Sequence, residues 1–382
     1  MAVELREVTT VRGLREFVRF PLRLYRGNPY YVPALFGDDM TTLRWDRNPA
    51  FAFCKARYWL AYRDGQAVGR IAGIYNPRHA ERWNQPYLRF GWIDFVDDAA
   101  VSAALLGAVE SWAQEKGLVA VHGPLGFTDL DREGMLVEGF DEVGTLATAY
   151  SYPYYPEHLA RLGYEKDVDW VEYEITVTEE PNPKIARIAK MVLRRYDLQK
   201  LELHRKSEFL KYAPMALRMV NDAYGDLYGV TPLTEEQIAG YVKQYFSFLD
   251  PAFTPAILDA DGEMVAFAVT MPSLSRALQR SRGRLFPLGF AHLLKAMKWN
   301  DRADLYLIAV RKDYQGKGLP AVMMDTMHRE FVARGIRTLE SNPELETNTD
   351  VRGQWKYYDA RQHKRRRCFI KEGIGDQKSE AA

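Results

Sequence analysis

Cysteine is nearly absent from this chain: Cys54 and Cys368 are the only two in 382 residues, too few for a disulfide framework and without a spacing suited to a metal. A reducing, cytoplasmic setting is expected, with no metal. An excess of charge of one sign is missing as well. The 52 basic and 51 acidic side chains nearly cancel, leaving +1, so nothing draws the whole chain to nucleic acid. Long apolar runs are lacking too: no uninterrupted stretch of about 18 residues would span a bilayer. The opening MAVELREVTT carries charges where a secretory leader needs an apolar core. The expectation is a cytoplasmic protein, soluble or in peripheral contact with the inner face of the membrane.

What is present reads as one pattern written twice, on a length that favours two domains of ordinary size. Tyr58 to Tyr62 and Ala67 to Tyr75 are β-rich runs around Asp64-Gly65, a hairpin signal because glycine accepts the positive φ of a tight turn. Asp261-Gly262 repeats it, and the text around the two turns is similar: DGQAVGRIAGI at 64–74 and DGEMVAFAVTM at 261–271. A strand from Arg89 to Val96 follows the first hairpin, then a helix with apolar spacing at Val101, Leu105, Val109 and Trp112, stopped at Lys116-Gly117 before a strand from Leu118. The second copy has a strand from Asp304 to Val310, a helix through Leu319, Met323, Met327 and Phe331 to Arg334-Gly335, and a strand from Ile336.

The second copy also holds an extra segment, Ser273 to about Lys298, which reads as two short amphipathic helices, the second with Leu285, Phe286, Leu288, Phe290, Leu293, Leu294 and Met297 apolar beside Arg284, Lys295 and Lys298. It is either a helix packed on the core or a lid that faces an acyl chain or a membrane. Glu179-Glu180-Pro181-Asn182-Pro183 is rich in breakers and marks a boundary, with Asn182-Pro183 able to open a helix at Lys184.

The order helix, hairpin, strand, glycine-rich turn, helix, strand resembles the GNAT acetyltransferase fold, and VRKDYQGKGLPA at 310–321 is similar to that family's acyl-CoA motif. The fold implied is α/β (α+β): two tandem GNAT-like domains, each a mixed, mostly antiparallel sheet flanked by helices. Gln315 and Gly318 match the motif, and Pro320 stands where the family has a small residue. The chemistry needs small residues there because consecutive backbone N–H groups at a helix N-terminus must face a pyrophosphate. Gln315, Gly316, Lys317, Gly318 and Leu319 can donate, whereas Pro320 cannot. Only the second copy has such a turn. In the first, Asp97-Asp98 would repel a pyrophosphate, so residues 1–178 read as a degenerate domain, 182–375 as a domain with the acyl-CoA site, and 376–382 as a disordered tail. This tandem arrangement resembles N-myristoyltransferases, Fem-type aminoacyltransferases and bacterial lipid N-acyltransferases, the bacterial ceramide synthases among them, and it is this resemblance alone that implies an acceptor pocket shaped by the degenerate copy.

The resemblance implies further site residues. Ile308, Ala309 and Val310 would line the gap where two strands splay and the thioester carbonyl is held. Glu340 and Glu344 are candidate bases for the departing amine proton. Asn348 stands where the family carries an asparagine, which implies a contact with the cofactor, but the tyrosine that should follow about seven residues later is Trp355, with Tyr357 and Tyr358 just beyond. Tyr358 is the candidate acid for the thiolate, and core packing is its bland alternative. His363-Lys364-Arg365-Arg366-Arg367 is a dense basic run, a solvated strand or tail edge or else a contact for coenzyme-A phosphates or an anionic surface. In the first copy, Asp129, Asp131 and Glu133, in a glycine-containing loop, are candidates to hold an amine or hydroxyl headgroup, unless they form a self-satisfied turn. Phe290 would meet an acyl chain. The reading is an acyl-CoA-dependent N-acyltransferase acting on an amine, tilted toward a lipid or long-chain amine, with acyl-CoA as co-substrate, as monomer or homodimer. A Fem-type enzyme and a non-catalytic binding pair are the alternatives.

Overall fold

The computed structural model describes residues 2–202, 206–246 and 249–374; the tail expected at 376–382 lies outside the described residues. The chain forms two compact units. Unit 1 comprises residues through Val171, Ser275–Leu293 and the chain from His363, and unit 2 comprises Glu172–Leu274 and Leu294–Gln362.

In unit 1, strands β1 (Glu4–Glu7), β2 (Lys55–Arg63), β3 (Gln66–Tyr75) and β4 (Tyr87–Phe95) follow one another antiparallel. Asp64 and Gly65 make the β2–β3 turn with φ of 52° and 75°, the conformation for which glycine is suited. Next, β5 (Ala120–Gly123) lies parallel to β4. A parallel step requires a crossover, supplied by the helix Ala99–Glu115, whose Leu105, Val109 and Trp112 are buried with Phe90 and Phe95. Its first turn is capped by Asp98, which accepts from the Ala100 N–H at 2.9 Å, so a carboxylate already occupies this helix N-terminus. Its neighbour Asp97 accepts from or faces His158 Nε2 at 2.9 Å. After β6 (Met135–Glu138) comes β7 (Glu165–Thr176), which leaves unit 1 at Val171.

Unit 2 repeats the scheme. Strands β8 (Gln199–Lys200), β9 (Ala256–Leu258), β10 (Met264–Pro272) and β11 (Arg302–Val310) are successively antiparallel, and β12 (Thr338–Ser341) is parallel to β11. The crossover is the helix Leu319–Ala333, which buries Val322, Met323, Met327 and Phe331 against Leu339 and Phe253. After β13 (Glu344–Leu345) the chain reaches β14 (Ala360–Glu372).

In each unit the run of strands is completed by one distant in sequence. Ile175 of β7 stands opposite Leu339 in unit 2, and Ile370 of β14 stands opposite His122 in unit 1. The basic run is therefore neither a tail nor a solvated edge. Lys364 and Arg366 are 1% exposed; Lys364 donates to the Val143 carbonyl at 3.2 Å and Arg366 to that of Ala149, while Arg367 pairs with Asp169 at 2.7 Å. Alternation along a strand places two cations inside, where carbonyl oxygens take the place of water.

The extra segment forms the two expected helices, Ser275–Ser281 and Gly289–Lys298. The first is tied into unit 1: Ser275 Oγ donates to the Gly144 carbonyl at 2.9 Å and Gln279 Nε2 to that of Pro29 at 2.7 Å. Among the described residues, no helix is long and apolar enough to cross a membrane.

Candidate functional site

The strand β11 has two unlike edges. One is paired with β10 as far as Val310, which faces Ala266. The other is paired with β12 only as far as Leu305, which faces Ser341, so the strand from Tyr306 to Val310 runs on without that neighbour. Ile308, Ala309 and Val310 all lie in this stretch, Ala309 buried and the other two half-buried. Tyr224, at the end of the helix Lys206–Tyr224, reaches it: its hydroxyl donates to the Ile308 carbonyl at 2.8 Å and accepts from the Ile308 N–H at 3.3 Å. Sequence reasoning did not find Tyr224, which lies 84 positions from Ile308 with no motif around it.

Beyond Val310 the chain makes a short turn of 3-10 helix, Lys312–Tyr314, and enters the crossover helix through Gly318. Gly316 and Gly318 have φ of 72° and 85°, values costly for a residue with a Cβ. A Cβ on Gly318 would also stand 3.1 Å from Val192 Cγ2, on the helix Pro183–Arg195. The N–H groups of Gln315 and Lys317 are held by the carbonyls of Lys312 and Tyr314, both at 3.3 Å. Those of Gly316, Gly318 and Leu319 have no hydrogen-bond partner among the described residues. Pro320 falls in the first helical turn, where its fixed φ fits and a missing N–H costs the helix nothing. The Gln315 side chain donates back to the Val310 carbonyl at 3.2 Å. Lys317 Nζ lies over the rings of Tyr314 and Tyr196, 4.6 and 5.0 Å from their centroids, and keeps a positive charge beside the turn. Asp313 is neutralised by Arg311 at 2.8 Å. The turn thus offers unoccupied backbone donors, a helix N-terminus and a cation, a set suited to an anion such as a pyrophosphate.

The candidate acids and bases divide. Glu340 is 5% exposed on β12, with Asp304 and Glu174 as its register partners on the two flanking strands. Glu174 is ion-paired with Arg302 and Arg361, and Tyr306 donates its hydroxyl to Asp304 at 3.1 Å. Glu344, on β13, is half-buried, and burial pushes its carboxyl up to about 8 against the opposing pull of the Trp355 hydrogen bond and nearby Arg352. The Trp355 indole N–H lies 3.0 Å from both Glu344 oxygens. Trp355 packs against Tyr358, ring centroids 5.9 Å apart, so Glu344, Trp355 and Tyr358 form one cluster. Burial raises the Tyr358 hydroxyl well above the usual phenol range, and it holds its proton at neutral pH. Asn348 is committed locally: its side chain caps the helix Thr349–Arg352 by accepting from the Val351 N–H at 3.3 Å.

In unit 1, Asp129, Asp131 and Glu133 sit together on a half-buried loop. Burial raises all three, Asp129 to about 7 and Asp131 to about 6, with repulsion from Asp131 on Asp129 and from Asp129 on Glu133 adding to it and Arg89 opposing it. Asp131 accepts from the N–H groups of Phe127 and Thr128 at 2.8 and 3.2 Å, so part of the cluster is a turn that satisfies itself. Arg89 is 2% exposed and is fixed by the Gly126 carbonyl and His79 Nδ1, each at 3.0 Å; a lone arginine on a strand has no local pattern that marks it. Phe290 is exposed, its ring 6.1 Å from that of Phe286.

No family model matches the sequence. Among curated proteins the chain is 29% identical to protein YghO of Escherichia coli, over 94% of this chain and 93% of that one. It is 28% identical to the bacterial ceramide synthase of Caulobacter vibrioides, over 89% and 90% of the two chains. Among solved structures it resembles a tandem GNAT protein from the clavulanic acid biosynthesis pathway, with a TM-score of 0.54 and 12% identity over 97% of this chain and 98% of that one. A GCN5-related glucosamine N-acetyltransferase region of a fungal β-N-acetylglucosaminidase matches with a TM-score of 0.51 and 9% identity, covering 97% of this chain and 38% of that one. The fold is that of the tandem GNAT proteins.

Proposed function

On the premise of a tandem GNAT fold, we propose that this protein is an acyl-CoA-dependent N-acyltransferase with its donor site in unit 2 and its acceptor a long-chain or lipid amine. The observation that carries the reading is the turn Gln315–Leu319, with its unoccupied N–H groups at a helix N-terminus following directly on a strand with one open edge. The pyrophosphate of coenzyme A lies on that turn, and the thioester runs along Ile308, Ala309 and Val310. The amine nitrogen attacks the thioester carbon, the N–C bond forms, and the C–S bond breaks from a tetrahedral oxyanion held by backbone N–H groups. Glu344 takes the proton the amine loses, and Tyr358 returns one to the departing thiolate. Glu340, flanked on β12 by Asp304 of β11 and Glu174 of β7, supports this wall of the site. Asn348 serves by holding the loop beyond Glu344. Within unit 1, Asp129, Asp131 and Glu133 are proposed to bind a polar headgroup.

The preference for a long-chain amine is supported by the likeness, 28% identical, to a protein named bacterial ceramide synthase. The test is thiol release by the purified protein across acyl-CoA lengths and amine acceptors. Turnover with a long-chain amine and little with small amines supports the reading. Coenzyme-A binding without thiol release for any acceptor marks a binding protein, and no coenzyme-A binding at all rejects the donor site.

A further inference from the structure

We infer that the segment Arg276–Trp299 docks this protein on an anionic lipid bilayer. The inference stands apart from the acyltransferase reading and rests on where side chains of this one segment point. Leu285, Phe286, Leu288 and Phe290 are exposed, Phe286 by 78% and Leu288 by 67%. The helix Gly289–Lys298 continues the feature, since Phe290, Leu294 and Lys298 recur at helical spacing and all are exposed. Trp299 follows, 64% exposed, with Lys298 Nζ 4.7 Å from its ring centroid. A helix of a folded protein ordinarily turns its apolar side inward; here large apolar side chains face water along one continuous stretch, a feature that marks a contact surface.

The charge pattern selects the occupant. From Ser273 to Asn300 the sequence has Arg276, Arg280, Arg282, Arg284, Lys295 and Lys298 and not one Asp or Glu, in a chain whose net charge is +1. The rest of the chain is therefore net acidic, and the excess positive charge is concentrated in this one segment. Arg280, Arg282, Arg284, Lys295 and Lys298 form no ion pair among the described residues, so their charge is available to phosphate headgroups. Exposed Phe, Leu and Trp interleaved with cations is the composition of a segment that lies in the plane of the headgroups. At 10 residues the helix is about 15 Å long, half the thickness of the hydrocarbon layer, so it lies on the bilayer and does not cross it. The preceding helix supplies a fixed base, held by Ser275 and Gln279.

The test is co-sedimentation of the full chain with vesicles of phosphatidylglycerol and phosphatidylcholine in equal parts, and with phosphatidylcholine alone. Binding is expected to the first, weakened by salt and at least about tenfold weaker to the second. The double variant Phe286→Ser, Leu288→Ser is expected to lose about tenfold or more in vesicle affinity, whereas Trp45→Ser, at an exposed tryptophan elsewhere, binds as the native chain does. Circular dichroism checks that each variant is folded; should the double serine variant unfold, Arg282→Gln with Arg284→Gln takes its place and is expected to flatten the salt dependence. No sedimentation with the anionic vesicles overturns the proposal, as does undiminished binding by folded variants. Self-association that the serine variant abolishes, without vesicle binding, also overturns it and makes the face a contact between copies. The readout is binding and not turnover, so an inactive enzyme that binds vesicles leaves this inference standing.

Discussion

Replacing Glu344 by glutamine separates a general base from a buried spectator. The carboxyl is moved from 4.5 to about 8, chiefly by burial, so at pH 7 it is mostly protonated, and only its ionised fraction can accept the amine proton. Below pH 8 the native kcat/KM therefore falls about tenfold per pH unit on account of Glu344, and about tenfold more because the amine must itself be neutral. Glu344→Gln keeps an acceptor for the Trp355 indole but cannot take a proton. Its activity should drop by about 10²–10⁴-fold, and the residual log–log slope should fall from about 2 to about 1. Stability carries the opposite sign. A carboxyl whose folded value lies above its unfolded one destabilises the fold when forced to ionise; the penalty is absent below 4.5, grows from 4.5 to 8, and is complete above 8. At pH 7 it amounts to at most about 3 kcal/mol, less to the extent that water reaches the half-buried group. Thiol-release rates and urea midpoints of both proteins across pH 5–9 measure the two effects. Equal slopes in the two proteins, or a stability difference that does not widen as pH rises through this window, would refute the assignment.

Gly318→Val brings a Cβ against Val192 and forces positive φ on a branched residue, so coenzyme-A affinity by calorimetry should weaken about tenfold or more as the turn's donors move. Asp129→Asn should raise the KM for the amine roughly tenfold while leaving coenzyme-A affinity unchanged; an equal loss of both would place Asp129 outside the acceptor pocket. Leu105→Ala, at a fully buried position of the unit 1 crossover helix, should cost about 2–5 kcal/mol in denaturant unfolding without altering coenzyme-A binding.

Local chemistry made much of this fold legible. Asp64-Gly65 announces a turn because few other residues take that φ, and the spacing of Val101, Leu105 and Val109, or of Leu319, Met323 and Met327, fixes which face of each crossover helix is buried. The turn at Gln315–Gly318 was legible for the same reason. What escaped depends on neighbours remote in sequence. The alternation in β14 reads as a charged edge until Val143, Ala149 and Asp169 are seen to meet Lys364, Arg366 and Arg367. Tyr224 has no local pattern that aims it at Ile308. Asn348, taken from the resemblance as a cofactor contact, has its carbonyl oxygen engaged as a helix cap, a role its position before Thr349 already permitted. The rise of Glu344 toward 8 comes from burial beside Trp355, which spacing alone does not convey.

The exchange of last strands has a consequence for how the two halves can be inherited. A fragment ending in the breaker-rich stretch at 179–183 would keep β5 but lack β14, leaving β5 with a raw edge of N–H and C=O groups that invites aggregation. A fragment beginning after that stretch would lack the end of β7 beside β12. Neither half is a cassette that could be shuffled, duplicated or expressed by itself unless the partner strand travels with it. The ladder of β5 with β14 must also wait for a loop spanning most of the chain to close, a slow step of high contact order. The first half is thereby retained with the second as one heritable object.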